Sequence, residues 1–166
     1  AGGGGKSSAL LMGAAQHVHV PGYAALILRR TYADLALPGA LMDRARDWWH
    51  GKARWDGQNH KWTFPSRAVI QFGYLENAGD ERRYKSAEFQ YIGFDEATHF
   101  TEKQYRYMLS RARSSFGLSP RVRGGRRSAR GITMSRYNAT PLIGAAQAQA
   151  LLGSWYEIVG NGGQES

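Results

Sequence analysis

Short apolar runs alternate with helically spaced stretches along the first two thirds of the chain. Residues 23–28 (YAALIL) are apolar throughout and end on Arg29-Arg30, the pattern of a buried strand with a polar exit. Residues 34–50 carry Leu35, Leu37, Leu41, Met42, Ala45 and Trp48 at helical spacing, with Pro38 expected to begin a new helix. Two β-like runs, 61–64 and 68–74, flank Pro65-Ser66-Arg67 and predict a hairpin. Residues 76–88 are polar and read as an exposed loop or short helix. Residues 89–94 (FQYIGF) form another strand, which delivers Asp95-Glu96 at its carboxyl end. From Thr101 to Arg113, Tyr105, Met108, Leu109 and Ala112 share one side of a helix, and Thr101 with Glu102 supplies its start. Strands alternating with helices predict an α/β fold on a mostly parallel sheet with helices on both faces. After Pro120 the pattern decays, apart from a helical stretch at 142–152.

Length and composition narrow the classes. A chain of 166 residues with 42% hydrophobic content fits one domain with a real core. The absence of cysteine excludes a disulfide scaffold and a Cys-ligated zinc site. No secretory signal is visible, and no apolar run approaches the roughly 18 residues of a membrane span. The expectation is a soluble, intracellular, basic domain. Its net charge of +9 is concentrated late: between Glu102 and Glu157 there is no acid, while Arg121, Arg123, Arg126, Arg127, Arg130 and Arg136 crowd together. Such a stripe favours a polyanion through counterion release. A solvated basic tail would carry the same charge.

The start of the chain bears chemistry. Gly2, Gly3, Gly4 and Gly5 precede Lys6, Ser7 and Ser8 and then a small-residue, helix-favouring stretch. Gly5-Lys6-Ser7 matches the end of a phosphate-binding loop of the form G-x-x-x-x-G-K-[ST]. Glycines let backbone N–H groups wrap a phosphate, and the following helix brings its positive end to the same place. The first glycine of that pattern would stand one residue before Ala1, and the leading strand is not in the sequence; a glycine linker or tag scar reads the same way. The second feature, Asp95-Glu96 after an apolar strand, suits a metal-holding carboxylate followed by a general base. Paired acids also occur as plain strand caps. The order and spacing of the two motifs favour the nucleotide reading.

The segments KSSALLM (6–12) and PGYAALILRRTYADL (21–35), then YKSAEFQYIGFDE (84–96) and FTEKQY (100–105), resemble the ATPase domain of bacteriophage terminase large subunits. The resemblance covers about residues 1–123, which it implies are a P-loop ATPase domain lacking its first strand. It implies a motor that hydrolyses ATP with Mg²⁺ to move double-stranded DNA into a procapsid. Lys6 and Ser7 would then bind phosphate and Mg²⁺, with Gly2–Gly5 and Ser8 completing the loop. Asp95 would hold the metal and Glu96 activate water. Implied partners are DNA, a terminase small subunit, a portal protein and further copies of the chain in a ring, in the bacterial host cytoplasm. A helicase-like DNA-dependent ATPase and a non-catalytic nucleic-acid-binding fragment are the alternatives, and without its leading strand this chain is expected to turn over ATP weakly.

The sequence departs from that family in two places. Where members carry an arginine eleven residues before the catalytic glutamate, Lys85 stands, a point charge without the planar fork; Arg83 and Arg82 are the neighbouring substitutes. After Arg123 the family's Asn-Pro-Gly-Gly stretch is replaced by Gly124-Gly125-Arg126-Arg127, so residues 124–166 are read as a divergent or out-of-frame basic tail. Other features read as structure. His17 and His19 lack a third ligand, and His99 suits a surface or packing role better than a γ-phosphate sensor. Trp48, Trp49, Trp55 and Trp62 read as packing rather than base stacking. Arg29 and Arg30 end a strand on the edge where sites gather in open α/β sheets, and either contact phosphate or DNA or are simply solvated.

Overall fold

The computed structural model describes residues 4–128 and 131–138. Among these described residues, four α-helices, α1 (Gly4–Ala15), α2 (Tyr32–Ala36), α3 (Leu41–Trp49) and α4 (Glu102–Leu109), accompany seven strands: β1 (Ala24–Arg29), β2 (Arg54–Asp56), β3 (Lys61–Thr63), β4 (Val69–Tyr74), β5 (Tyr91–Asp95), β6 (Arg121–Ser128) and β7 (Gly131–Asn138). They form one sheet in the order β2-β3-β4-β1-β5-β6-β7. The central strands β4, β1, β5 and β6 run parallel. Both flanks are antiparallel, through β2–β3–β4 and through β6–β7. The expected α/β architecture is present in this parallel centre, and the hairpin at 61–74 is β3–β4.

Period-two alternation sorts the central strands between two cores. On one face Ala25, Ile27, Ile70, Phe72 and Tyr91 pack against Leu11 and Ala14 of α1 and Leu41 and Ala45 of α3. On the other face Leu26, Leu28, Ile92 and Phe94 pack against Tyr105 and Met108 of α4. Trp48, Trp49, Trp55 and Trp62 join the first core as expected of packing residues. Trp49 meets Trp62 and Phe64 edge-on, and Trp55 lies 5.2 Å from Trp62, ring centre to ring centre. Each such pair adds about 1 kcal/mol beyond area burial.

Several boundaries differ from the sequence reading, each for a local reason. Pro38 does not begin α3: Gly39, at φ 73°, turns the chain, and its N–H donates to Asp43 Oδ2 at 2.8 Å. The segment 76–88, expected as an exposed loop or short helix, contains a short 3-10 helix, Asp80–Tyr84, but Glu81 and Tyr84 within it are buried rather than exposed. β2 was not foreseen, because its three residues are recruited by pairing to β3 rather than by an apolar pattern. β6 was missed for the same reason. It is held by a parallel ladder to β5, from Tyr91↔Arg121 to Asp95↔Gly125. The helical stretch expected at 142–152, and the tail beyond Asn138, lie outside the described residues.

Candidate functional site

Adjacent parallel strands bring the charged residues together. At the end of β1, Arg29 continues the parity of Ala25 and Ile27, toward α1; Arg30, just past the strand, continues that of Leu26 and Leu28, toward α4. In β5, Tyr91, Gly93 and Asp95 share the α1 side. A Cβ on Gly93 would come within 3.1 Å of Leu10 and 3.2 Å of the Tyr91 ring. The bare backbone at that position lets α1 lie close, with its first turn over the carboxyl end of β5.

That first turn carries Lys6, 3% exposed. Its Nζ lies 2.5 Å from Glu96 Oε1 and 3.5 Å from Asp95 Oδ1. Asp95 is 1% exposed, and its Oδ2 accepts a hydrogen bond from Arg29 Nη1 at 3.0 Å. Its Oδ1 has no hydrogen-bond partner. Burial pushes the Asp95 carboxyl above the usual carboxylate range; the charges of Lys6 and Arg29 pull it back, and Glu96 adds to the rise. Two cations and two carboxylates thus form one chain of charge, Arg29–Asp95–Lys6–Glu96, which offsets the cost of taking each out of water.

Glu96 follows β5 in the left-handed region, at φ 53° and ψ 57°. A non-glycine residue there costs about 1 kcal/mol. The turn swings the backbone away from the strand and carries the Glu96 side chain to Lys6. Sterically costly conformations persist where surrounding structure holds them, and they cluster at functional sites.

The glycines behave differently from a simple loop. Gly4 and Gly5 lie inside the first turn of α1, while Gly2 and Gly3 lie outside the described residues. A helix beginning at Gly4 leaves the amides of residues 4–7 without intrahelical acceptors, at the positive end of a twelve-residue helix. Ser7 is half-buried beside Lys6. Ser8 Oγ accepts a hydrogen bond from Arg44 Nη1 of α3 at 2.7 Å. An anion fits at these amides and Lys6, and the buried Asp95 Oδ1 suits a hard cation that takes oxygen ligands.

Of the residues singled out from sequence, Lys6, Asp95 and Glu96 therefore meet, with Ser7 and Ser8 in the adjoining turns. Arg29 and Arg30 part company. Arg29 reaches Asp95, whereas Arg30 donates to the carbonyl of Leu75 and to Gln104 Oε1, on the α4 side. Arg44 was missed, since nothing in its sequence position ties α3 to Ser8. Arg83 pairs with Asp80 at 2.9 Å and lies over the Tyr74 ring, while Arg82 and Lys85 are exposed. The rings of His17 and His19 are 6.2 Å apart, and no group of three metal-ligating side chains occurs among the described residues. His99 is exposed. No helix among the described residues is long and apolar enough to cross a membrane.

Fold and site together define an α/β domain whose charged groups gather where a helix begins over the carboxyl edge of a parallel sheet. The family described as terminase large subunit, T4likevirus-type, N-terminal, matches the chain over residues 2–123. The chain belongs to that family, and with it to the terminases of phage genome packaging. No curated protein and no solved structure matches it.

Proposed function

We propose that this chain is the ATPase part of a terminase large subunit, of the P-loop type, and that it hydrolyses ATP to drive double-stranded DNA into a procapsid. The observation that carries the reading is the meeting of Lys6 with Asp95 and Glu96, residues about ninety positions apart. Family membership favours this over a helicase-like ATPase, and the buried Asp95 with Glu96 beside it favours it over a non-catalytic DNA-binding fragment. Small subunit, portal and further copies of the chain are the partners the family suggests.

The residues divide the work. The amides of the first turn of α1 and the Lys6 ammonium bind and orient the triphosphate. Asp95 Oδ1 and the Ser7 hydroxyl are the oxygens that would hold Mg²⁺, which supplies neutralisation of phosphate charge. Glu96 accepts the proton of the attacking water. Glu96 is bound to Lys6, so the lysine must move to phosphate before the carboxylate is free to act as base. Positioning and charge neutralisation supply most of the rate in such reactions.

A phosphate-release assay with and without double-stranded DNA, beside an ATP-binding titration, tests this. Glu96→Gln is expected to keep ATP binding and lose turnover by about 10²–10⁴-fold, the range of a removed general base. Lys6→Ala is expected to weaken ATP binding itself. Full turnover by Glu96→Gln, or unchanged affinity in Lys6→Ala, overturns the assignment.

A further inference from the structure

Asp95 has two oxygens in different situations. Oδ2 is held by Arg29 at 3.0 Å, while Oδ1 is buried, makes no hydrogen bond and lies 3.5 Å from Lys6. The hold follows from register. Leu28 pairs with Phe94 across the β1–β5 ladder, so Arg29 and Asp95 are the next residues of neighbouring parallel strands, on the same face. The Arg29 side chain is three-quarters buried, with 23% exposed, and the charge-assisted bond from its Nη1 to Oδ2 restricts how the carboxylate can turn.

We propose that Arg29 is the positioning residue for Asp95: by occupying Oδ2 it fixes the carboxylate so that Oδ1 is the oxygen offered to the cation. The inference rests on the nucleotide-site reading above. A carboxylate free to rotate would spread its time between orientations and could also be drawn wholly to Lys6, closing the site with an internal ion pair. Arg29 prevents this by giving Asp95 a second, directional partner on the side away from Lys6. Arg30, next in the chain, cannot take over, since it leaves the strand on the opposite face.

The test is Mn²⁺ binding by the full chain, followed by electron paramagnetic resonance in the presence of a non-hydrolysable ATP analogue. Affinity for the same analogue in EDTA is measured in parallel. Arg29→Met is expected to weaken Mn²⁺ about tenfold, the lower end of the cost of removing a ligand's orienting partner, with metal-free analogue affinity unchanged. Arg29→Lys, which keeps the charge but not the fork, is expected to fall between. Wild-type Mn²⁺ affinity in Arg29→Met overturns the proposal, as does equal weakening of metal and metal-free binding, the mark of a merely structural role. If Arg29→Met shows no cooperative melt, Arg29→Lys decides on the same two readouts. A wild-type chain that binds neither analogue nor Mn²⁺ removes the nucleotide site itself, a failure distinct from that of Arg29.

Discussion

The two faces of one sheet are used for opposite ends. Toward α1, the strand ends carry Arg29, Asp95 and Glu96 into a charged cluster with an unsatisfied buried oxygen and a left-handed glutamate. Toward α4, the same edge is closed. Gln104 Nε2 donates to the carbonyls of Leu75 and Asn77, its Oε1 accepts from Thr101 N at 3.1 Å, and Arg30 joins the same carbonyl of Leu75. Buried polar groups satisfied in this way rigidify, whereas a site must keep some capacity unspent for its ligand. One strand end, splitting Arg29 from Arg30 by parity alone, supplies both. Changes on the α1 side should therefore alter binding and turnover with little effect on folding, and changes on the α4 side the reverse.

The largest expected effect, the loss of turnover in Glu96→Gln, falls on the α1 side and should leave the unfolding midpoint near that of the parent. Its counterpart on the α4 side is Gly73→Ala. Gly73 faces α4, and an added Cβ would sit 2.0 Å from the Tyr84 hydroxyl and 3.1 Å from Leu28. Overpacking of this kind costs about 1–3 kcal/mol. Denaturant unfolding should show that loss, while affinity for the ATP analogue stays unchanged. A fall in affinity with no fall in stability would mean that the α4 side reaches into the site.

Alkaline unfolding sharpens the contrast further. Burial raises the Tyr84 phenol from 10 to about 12. The folded chain thus keeps this proton while the unfolded chain loses it, and stability falls as pH climbs between those values. Tyr84→Phe should flatten that slope by up to about 1.4 kcal/mol per pH unit. Tyr23 and Tyr91, on the α1 side, are also pushed up by burial, so part of the slope should survive. A slope unaltered in Tyr84→Phe would place the titration elsewhere.

Legibility from sequence followed the same division. β1, β5 and α4 were readable because their apolar residues recur at the right period, and Lys6, Asp95 and Glu96 because their motifs carry a spacing. Arg29 was visible only as one of a pair. Its assignment needed the register Leu28↔Phe94, which no single strand encodes. Arg44 needed the packing of α3 against α1. β6 has Val122 as its buried apolar residue among arginines and glycines, so its place depends on a ladder to β5 rather than on its own composition. The left-handed turn at Glu96 carried no signal either, since glycine or asparagine would ordinarily mark it.

The smallest effect tests whether the two faces are independent. Thr101 Oγ1 accepts from Gln104 N at 3.2 Å, and the Gln104 side chain returns a bond to Thr101 N, a reciprocal cap on α4. Thr101→Ala removes one half of that exchange and should cost about 1 kcal/mol; Thr101→Ser, which keeps the hydroxyl, should recover most of it. Gln104 would remain bonded to Leu75 and Asn77, so Arg30 should keep its partners. Leu75 N in turn donates to the carbonyl of Arg29 at 3.3 Å, and this backbone bond, beside the contact of Arg30 with Gln104, links the α4 cap to the Asp95 pair. If the faces are separate, Mn²⁺ affinity in Thr101→Ala equals that of the parent despite the lower stability. If it weakens in step with Arg29→Lys, the cap is felt across the sheet, and Arg29 is set by the closed face as well as by its own strand.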